Sequence, residues 1–341
     1  MNTEFTEYIK SHIREYLPPE YQEANITLEE VTKGNDRQLT GLMIRRDGEN
    51  TLPTIYLEPY ADQLAQGRPV EEIMKEIVQI RTEQDYRLPF EVPGLTDYSQ
   101  VKPLLSIRLC DPEQNRKFLE DKPHTSCGVL AAAYRIQIME NPDGAASAAV
   151  TDSMLSLWGI TKEQLHQDAL AAETARSHVC LYSMADMMEE MTTSTKAENL
   201  FDHDGSLEET AMPLYVLTNS ARLNGAGMPA RDGVLDKVGD LIGKNFYVLP
   251  SSVHEVLILP DTGNQKEKEL EQMVKEINET QVAPEDRLSD KVQYYDRETK
   301  TLGRKQEKGL LDRLAENKAQ IKKQAEKAPK EKTAAKQEPS L

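Results

Sequence analysis

Residues 213–260 read PLYVLTNSARLNGAGMPARDGVLDKVGDLIGKNFYVLPSSVHEVLILP, and this stretch decides the fold. It begins with a short β-type run at residues 214–217, and a turn cluster follows at residues 224–227. Glycine and asparagine tolerate the backbone conformations of tight turns, and an aspartate ahead of an apolar repeat is typical of a helix start. We therefore predict a strand, a glycine-bearing loop and a helix capped by Asp232.

The predicted helix has a single apolar stripe. Its members recur at helical spacing and are Val234, Leu235, Val238, Leu241 and Ile242. Gly243 follows, where a left-handed C-terminal cap is expected. Two β-rich runs come next, residues 246–249 and residues 253–259, and the residues between them indicate a hairpin. Together these patterns predict a packed core.

The N-terminal part repeats this mixture of helix and strand. Apolar residues four apart predict a first helix that ends before Pro18. Residues 26–32 and 39–45 predict a strand pair, and residues 70–86 predict a helix with one apolar side. The fold class is therefore α+β, with mixed antiparallel sheets and packed helices.

The C-terminal part changes character after residue 280. We predict an α+β globular domain over residues 1–280, with two candidate lobes at about 1–144 and 145–280. Residues 281–304 form a small hairpin or extension, and residues 305–341 a charged tail. The tail is rich in Lys, Glu, Ala and Gln, a composition typical of disordered or transiently helical segments.

Charge limits the classes of partner. The net charge is −17, and residues 301–341 hold 11 Lys/Arg against 6 Asp/Glu, so residues 1–300 carry −22. An acidic body disfavours non-specific binding to nucleic acid or to an anionic membrane, except through the tail. The sequence contains no run of about 18 apolar residues, so we predict no membrane-spanning segment. Three cysteines form no disulfide framework, which favours a reducing cytoplasm.

The candidate catalytic residues combine a hydroxyl, an imidazole and a carboxylate, the ingredients of nucleophilic catalysis. They are Ser251, Ser252, His254 and Glu255, with His124 as a more distant candidate. On a strand, neighbouring side chains point to opposite faces, so His254 and Glu255 would not act together. No G-x-S-x-G elbow is present. A turn whose hydroxyls bond the backbone is the preferred interpretation.

Histidines and cysteines form two pairs. A candidate four-ligand metal set consists of His124, Cys127, His178 and Cys180. Structural zinc sites use tighter, cysteine-richer spacings, and Cys127 and Cys180 lie in apolar surroundings. A Cys127 nucleophile has no nearby positive charge to hold a thiolate. We therefore predict no metal and no cofactor.

The glycine-bearing loop has the layout of a phosphate cradle between a strand and a helix. The ligand-binding candidates are Asn219, Asn224, Gly225 and Gly227. The loop lacks the Lys-Ser/Thr of a P-loop and the third glycine of the dinucleotide fingerprint. A tight turn is the preferred interpretation.

The segment SMADMMEEM, residues 183–191, carries four methionines at helical spacing. Methionine is flexible and polarizable, so such a face suits an adaptable binding surface. The same spacing is also typical of core filling, which is the more frequent case.

Four phrases of the chain resemble an uncharacterised bacterial family, a domain of unknown function found in gut anaerobes, often on conjugative or other mobile elements. The phrases are Phe118-Leu119 with Pro123-His124, Trp158-Gly159-Ile160 with Glu163 and Leu165, Asn224–Gly227 and Asn245–Glu255. The resemblance spans residues 1–300 and implies a bacterial cytoplasmic setting. It implies no activity, substrate or catalytic residue.

The functional expectation is a non-enzymatic cytoplasmic protein that binds another protein, as an accessory factor of a mobile element. One alternative is a small-molecule hydrolase with a pocket between Asn224 and the turn at residues 251–255. Another is a nucleic-acid accessory protein that acts through the Lys-rich tail.

Overall fold

The N-terminal elements form a helix-covered three-stranded sheet. The computed structural model describes residues 3–49, 53–83, 94–141, 144–193, 195–208 and 213–306. The first elements are α1 (Thr3–His12), β1 (Asn25–Thr32), β2 (Gln38–Arg45), β3 (Ile55–Tyr56), α2 (Glu58–Ala65) and α3 (Val70–Glu83). Antiparallel pairing gives the order β1-β2-β3, and one apolar cluster joins this sheet to α1 and α3. The predicted strand pair and both predicted helices are present.

A four-stranded antiparallel sheet follows. Its elements are α4 (Tyr98–Val101), β4 (Leu105–Cys110), α5 (Arg116–Leu119), β5 (His124–Cys127), β6 (Leu130–Asn141) and β7 (Gly144–Ala149). The long strand β6 pairs with β4 on one side and with β5 and β7 on the other. Its inner face is apolar and packs against α7 (Lys162–Arg176), which follows α6 (Asp152–Trp158).

The stretch quoted first lies in a six-stranded antiparallel sheet. The remaining elements are β8 (Val179–Ser183), α8 (Met184–Thr192), β9 (Tyr215–Asn219), α9 (Val234–Ile242), β10 (Phe246–Leu249), β11 (Val256–Pro260), α10 (Glu267–Gln281), β12 (Gln293–Asp296) and β13 (Thr301–Gly303). The strand order is β13-β12-β10-β11-β9-β8. The α+β class and the antiparallel sheets are confirmed.

Strand β10 is buried on both faces because alternate side chains enter two cores. Phe246 and Val248 join the main core with α9 and the inner face of the four-stranded sheet. Tyr247 and Leu249 join a second cluster that α10 covers. Successive side chains of a strand point to opposite faces, so four consecutive apolar residues suit this position.

Two local predictions are wrong. Helix α9 begins at Val234 with Gly233 at its N-cap, and Asp232 makes no side-chain cap bond. Strand β11 begins only at Val256, so His254 and Glu255 lie in a loop. The physical reason is that the Val253 N–H donates to Asp286 O and the His254 N–H donates to Ser252 Oγ, which draws this backbone away from a strand ladder.

The domain boundaries stay predictions. Residues 1–304 form one compact unit, and β6 pairs with β7 across the position where two lobes were expected to meet. The predicted hairpin at residues 281–304 contains β12 and β13, which extend the six-stranded sheet. The predicted tail beyond residue 306 lies outside the described residues. Within the described residues, every helix is too short or too polar to cross a lipid bilayer.

Buried Asp111, directly after β4, ties this sheet to the loop before β12. Its Oδ2 accepts from Ser289 Oγ at 2.7 Å, and its Oδ1 accepts from the Glu113 N–H and lies 3.3 Å from Lys291 Nζ. Burial raises the pKa of this carboxyl, but the hydrogen bonds and the Lys291 charge outweigh it, so the net pKa is lowered.

Acidification is therefore expected to remove stability that Asp111 contributes. The carboxyl has a lowered folded-state pKa, so its contribution is present above the ordinary value of 3.8 and is lost as the pH falls through the folded value. Urea unfolding measures the decrease in the free energy of unfolding between about pH 7 and about pH 3. This decrease should be smaller for Asp111→Asn than for the unmodified chain. The exposed Asp232→Asn variant is the control. Equal losses in the Asp111→Asn variant and the unmodified chain would contradict this assignment.

Candidate functional site

The glycine-bearing loop and the loop before β11 are joined by backbone hydrogen bonds. The Gly225 N–H donates to His254 O at 2.9 Å, and the Ala226 N–H donates to Val253 O at 3.2 Å. Thr218 Oγ1, at the end of β9, also donates to His254 O at 2.8 Å. The structure thus brings together two predicted candidate regions, and their backbone groups bond each other.

His254 and Asn224 meet directly. The Asn224 N–H donates to His254 Nδ1 at 3.2 Å, so Nδ1 is an acceptor and the proton of a neutral ring lies on Nε2. His254 Nε2 lies 3.7 Å from Asp286 Oδ2. The imidazole is therefore oriented between a backbone N–H and a carboxylate of the loop before β12.

The serine hydroxyls contact other partners. Ser252 is buried, and its Oγ donates to Glu255 Oε1 at 2.6 Å while it accepts from the His254 N–H. Ser251 Oγ lies 3.4 Å from Asn278 Oδ1 of α10. Serine, imidazole and carboxylate lie close in sequence, but Ser252 bonds the carboxylate and the His254 backbone rather than the ring. This arrangement stabilises the loop and does not activate a hydroxyl.

The loop glycines contact protein backbone. A Cβ at Gly225 would meet Thr218 Oγ1, and would lie 2.6 Å from Asn219 N and 2.7 Å from His254 O. A Cβ at Gly227 would lie 3.0 Å from Ile107 O. The Asn219 amide bonds Leu223 through both its N–H and its oxygen. The close approach is therefore made to the chain itself, and the N–H groups of Asn224, Gly225 and Ala226, which a phosphate cradle would use, already donate to the loop before β11.

The four candidate metal ligands lie on different sheets. His124 is exposed at the start of β5, with Nδ1 2.9 Å from Lys122 O, and Cys127 is buried at the end of that strand. His178 directly precedes β8 and Cys180 is buried within it. In the described ranges, no group of three His, Cys, Asp or Glu side chains is placed to hold a metal ion.

A polar cleft of about 330 Å³ lies between β5, α7 and the segment before α9. The sequence analysis did not predict this cleft. Thr125 and His166 line one wall, and Tyr134 OH donates to Thr125 Oγ1 at 3.0 Å and lies 3.0 Å from His166 Nδ1. Burial raises the pKa of the Cys127 thiol, which also lines the cleft, to about 11. That thiol is protonated at neutral pH and is a poor nucleophile.

The opposite wall of this cleft carries Asp236. Its Oδ1 accepts from Tyr295 OH at 2.5 Å and its Oδ2 from Lys300 Nζ at 3.1 Å. These hydrogen bonds, that of Tyr295 first, lower the pKa of Asp236. The cleft can hydrogen-bond a small polar molecule. Its two walls come from separate elements, so no local pattern could have predicted that His166 and Asp236 share it.

A family model described as a family of unknown function, DUF5688, matches residues 2–297. The chain belongs to DUF5688. Membership confirms the uncharacterised family that the four phrases indicated. Comparisons of the DUF5688 chain with curated proteins and with solved structures find no significant match. No catalytic or binding residue is therefore transferred to this chain from a relative.

Proposed function

We propose that the DUF5688 chain is a non-enzymatic factor that binds another protein through helix α8. The observation that carries this proposal is the exposure of two methionines, which we call the methionine face. Met188 is 57% exposed and Met191 is 87% exposed. Residues three apart in a helix lie on the same face. Methionine adapts its shape to an apolar partner, and large exposed apolar side chains that cluster are typical of interaction sites.

Helix α8 is fixed to the six-stranded sheet. The Met184 N–H donates to Leu214 O at 2.9 Å. Glu190 Oε2 pairs with Arg222 at 2.9 Å and accepts from the Ala197 N–H, while Arg222 lies over the Tyr182 ring at 4.5 Å. A surface that is ordered before binding loses less conformational entropy in the complex.

The methionine face calls for a helical partner with basic flanks. The other faces of α8 carry Asp186, Glu189 and Glu190, within a body of net charge −22. Strand addition at the neighbouring edge strand β8 is blocked, because the Asn199 side chain accepts from the Leu181 N–H and donates to Val179 O. A basic amphipathic helix satisfies both the apolar face and the charge.

The setting is part of the same proposal. We assign the chain to the bacterial cytoplasm, as an accessory factor of a mobile element, because four of its phrases resemble the family. The hydrolase alternative has less support, because Ser252 bonds Glu255 and the thiol of Cys127 is protonated. The polar cleft is better suited to binding than to catalysis, because the Cys127 thiol that lines it is protonated.

Fluorescence anisotropy with a labelled Leu/Lys amphipathic helical peptide tests the proposed function. The double variant Met188→Gln/Met191→Gln should bind the peptide at least about tenfold more weakly than the unmodified chain. A tenfold change in affinity corresponds to about 1.4 kcal/mol, and the burial of two methionine side chains contributes more than that. Glutamine keeps the side-chain length and the helix propensity, so the fold is retained.

The matched control is Met273→Gln, which changes a 41% exposed methionine on α10. It should leave the affinity for the peptide unchanged, and a peptide of scrambled order should not bind. If the double variant and the Met273→Gln variant bind the peptide equally, the methionine face is not the binding surface and the proposal fails.

A further inference from the structure

Two arginines lie side by side on the outer face of the four-stranded sheet. Arg108 of β4 is paired with Ala133 of β6, and Arg135 lies two residues further along β6. Side chains two apart on a strand share a face, and diagonal neighbours on adjacent strands are within reach of long side chains. Both arginines are half-buried, and small side chains, Ala133 and Ala149, lie next to them in the sheet.

Neither guanidinium is neutralised by a carboxylate at contact distance. Arg135 donates from Nε to Ser147 Oγ at 2.8 Å and from Nη2 to Ser147 O at 3.0 Å, and both acceptors are uncharged. The Arg108 guanidinium forms no hydrogen bond and no ion pair with the described residues. Half-buried Arg37, Arg46 and Arg222, by contrast, each pair with a carboxylate.

Other polar and charged side chains lie around the two arginines. Asp286 attracts Arg108, but its Oδ2 also lies 3.7 Å from His254 Nε2. On the side of the N-terminal sheet, Tyr56 lies near Arg135, and Lys33 Nζ lies 4.7 Å from the centre of the Tyr56 ring. Lys33 is therefore a third cation near the pair, and Asp286 is the one carboxylate that acts on Arg108 among the described residues.

Burial of these arginines is electrostatically unfavourable. Burial and, after it, the positive charge of Arg108 lower the pKa of Arg135 to about 10. Arginine nevertheless stays charged at neutral pH. Two half-buried like charges with no carboxylate at contact distance destabilise a fold, and an anion between them would relieve this repulsion.

We propose that Arg108 and Arg135 form a binding site for a phosphate group, supplied by a small phosphorylated molecule or by free phosphate. Phosphate carries a charge of about −2 at neutral pH, which matches two guanidinium groups, whereas a carboxylate would leave one of them uncompensated. Guanidinium groups bind phosphate oxygens with paired N–H donors. The site lies on a different sheet from α8 and does not depend on the methionine face.

The variant Arg108→Gln isolates ligand binding from stability. Because the Arg108 guanidinium makes no hydrogen bond and no contact ion pair with the described residues, its removal should leave Tm in chloride buffer unchanged or raised, since the repulsion with Arg135 disappears. The same variant should lose the phosphate response, seen as a loss of at least about tenfold in affinity for inorganic phosphate by titration calorimetry at constant ionic strength. The exposed Arg116→Gln variant carries the same charge change and should bind phosphate as the unmodified chain does.

Further titrations separate the sources of the phosphate group. A phosphate monoester that binds more tightly than inorganic phosphate identifies an organic phosphate as the ligand, and equal affinity identifies free phosphate. Acetate as effective as phosphate would overturn the choice of a dianion. A lowered Tm of Arg108→Gln in chloride, together with an intact phosphate response, would show that Arg108 supports the fold and would overturn the proposal.

Discussion

Arg231→Met is expected to lower the free energy of unfolding by about 3–5 kcal/mol. Arg231 is buried and donates to Ser177 O, Ser177 Oγ and Glu173 O at 2.8–2.9 Å. Its Nε lies 3.8 Å from Glu173 Oε2, close enough for charge attraction but too far for a hydrogen bond. Methionine fills most of the volume but removes the positive charge of Arg231 from beside the buried Glu173 carboxylate.

Glu173 makes this loss large because it cannot move into water. Its Oε1 accepts from the Ile107 N–H at 2.9 Å, which covers the free edge of β4. The double variant Glu173→Gln/Arg231→Met should recover part of the stability, because glutamine keeps that acceptor without a buried charge. Urea unfolding followed by the fluorescence of Trp158, the single tryptophan, measures both variants. A loss below about 1 kcal/mol for Arg231→Met would contradict a buried ion pair.

Gly225→Ala should cost about 1–3 kcal/mol, toward the upper end of the range for overpacking. The added Cβ would lie 2.6 Å from Asn219 N and 2.7 Å from His254 O, and these are backbone atoms of a strand end and of the joined loop. Neither can shift without weakening the hydrogen bond from the Gly225 N–H to His254 O. Urea unfolding should show a lower midpoint with an unchanged slope.

Gly303→Ala is the matched control for this substitution. Among the described residues, no atom lies within 4 Å of a Cβ placed at Gly303, and its backbone φ is an ordinary one. Its effect on the free energy of unfolding should stay within about 0.5 kcal/mol. If Gly225→Ala and Gly303→Ala have the same small effect, the two loops are not packed as closely as the structure describes.

Sequence patterns predicted elements whose stability is local. The β1–β2 pair and the β12–β13 hairpin have short connections, so alternation and turn residues were sufficient to predict them. Strand β5 was not predicted, because His124–Cys127 lacks apolar alternation and is a strand only through its pairing with β6. The late start of β11 likewise depends on Asp286, which lies far along the chain.

The candidate site was predictable only in part. The proximity of Asn224 and His254 followed from two loops at the same end of one sheet. The bond from Ser252 to Glu255 depends on a loop conformation that a strand pattern conceals. For Arg108, a signal did exist, since it alternates with inward-facing Ile107 and Leu109. Its proximity to Arg135 depends on strand register, which the sequence did not specify.

The central position of β10 has a consequence for synthesis on the ribosome. Its first neighbour, β11, emerges directly after it, whereas its second neighbour, β12, emerges only after α10. A nascent chain therefore carries this deeply buried strand with an open edge until residues 293–296 have been synthesised, and such edges attract other chains. Helix α10 precedes β12 along the chain, so it can cover one face of β10 before β12 has been synthesised.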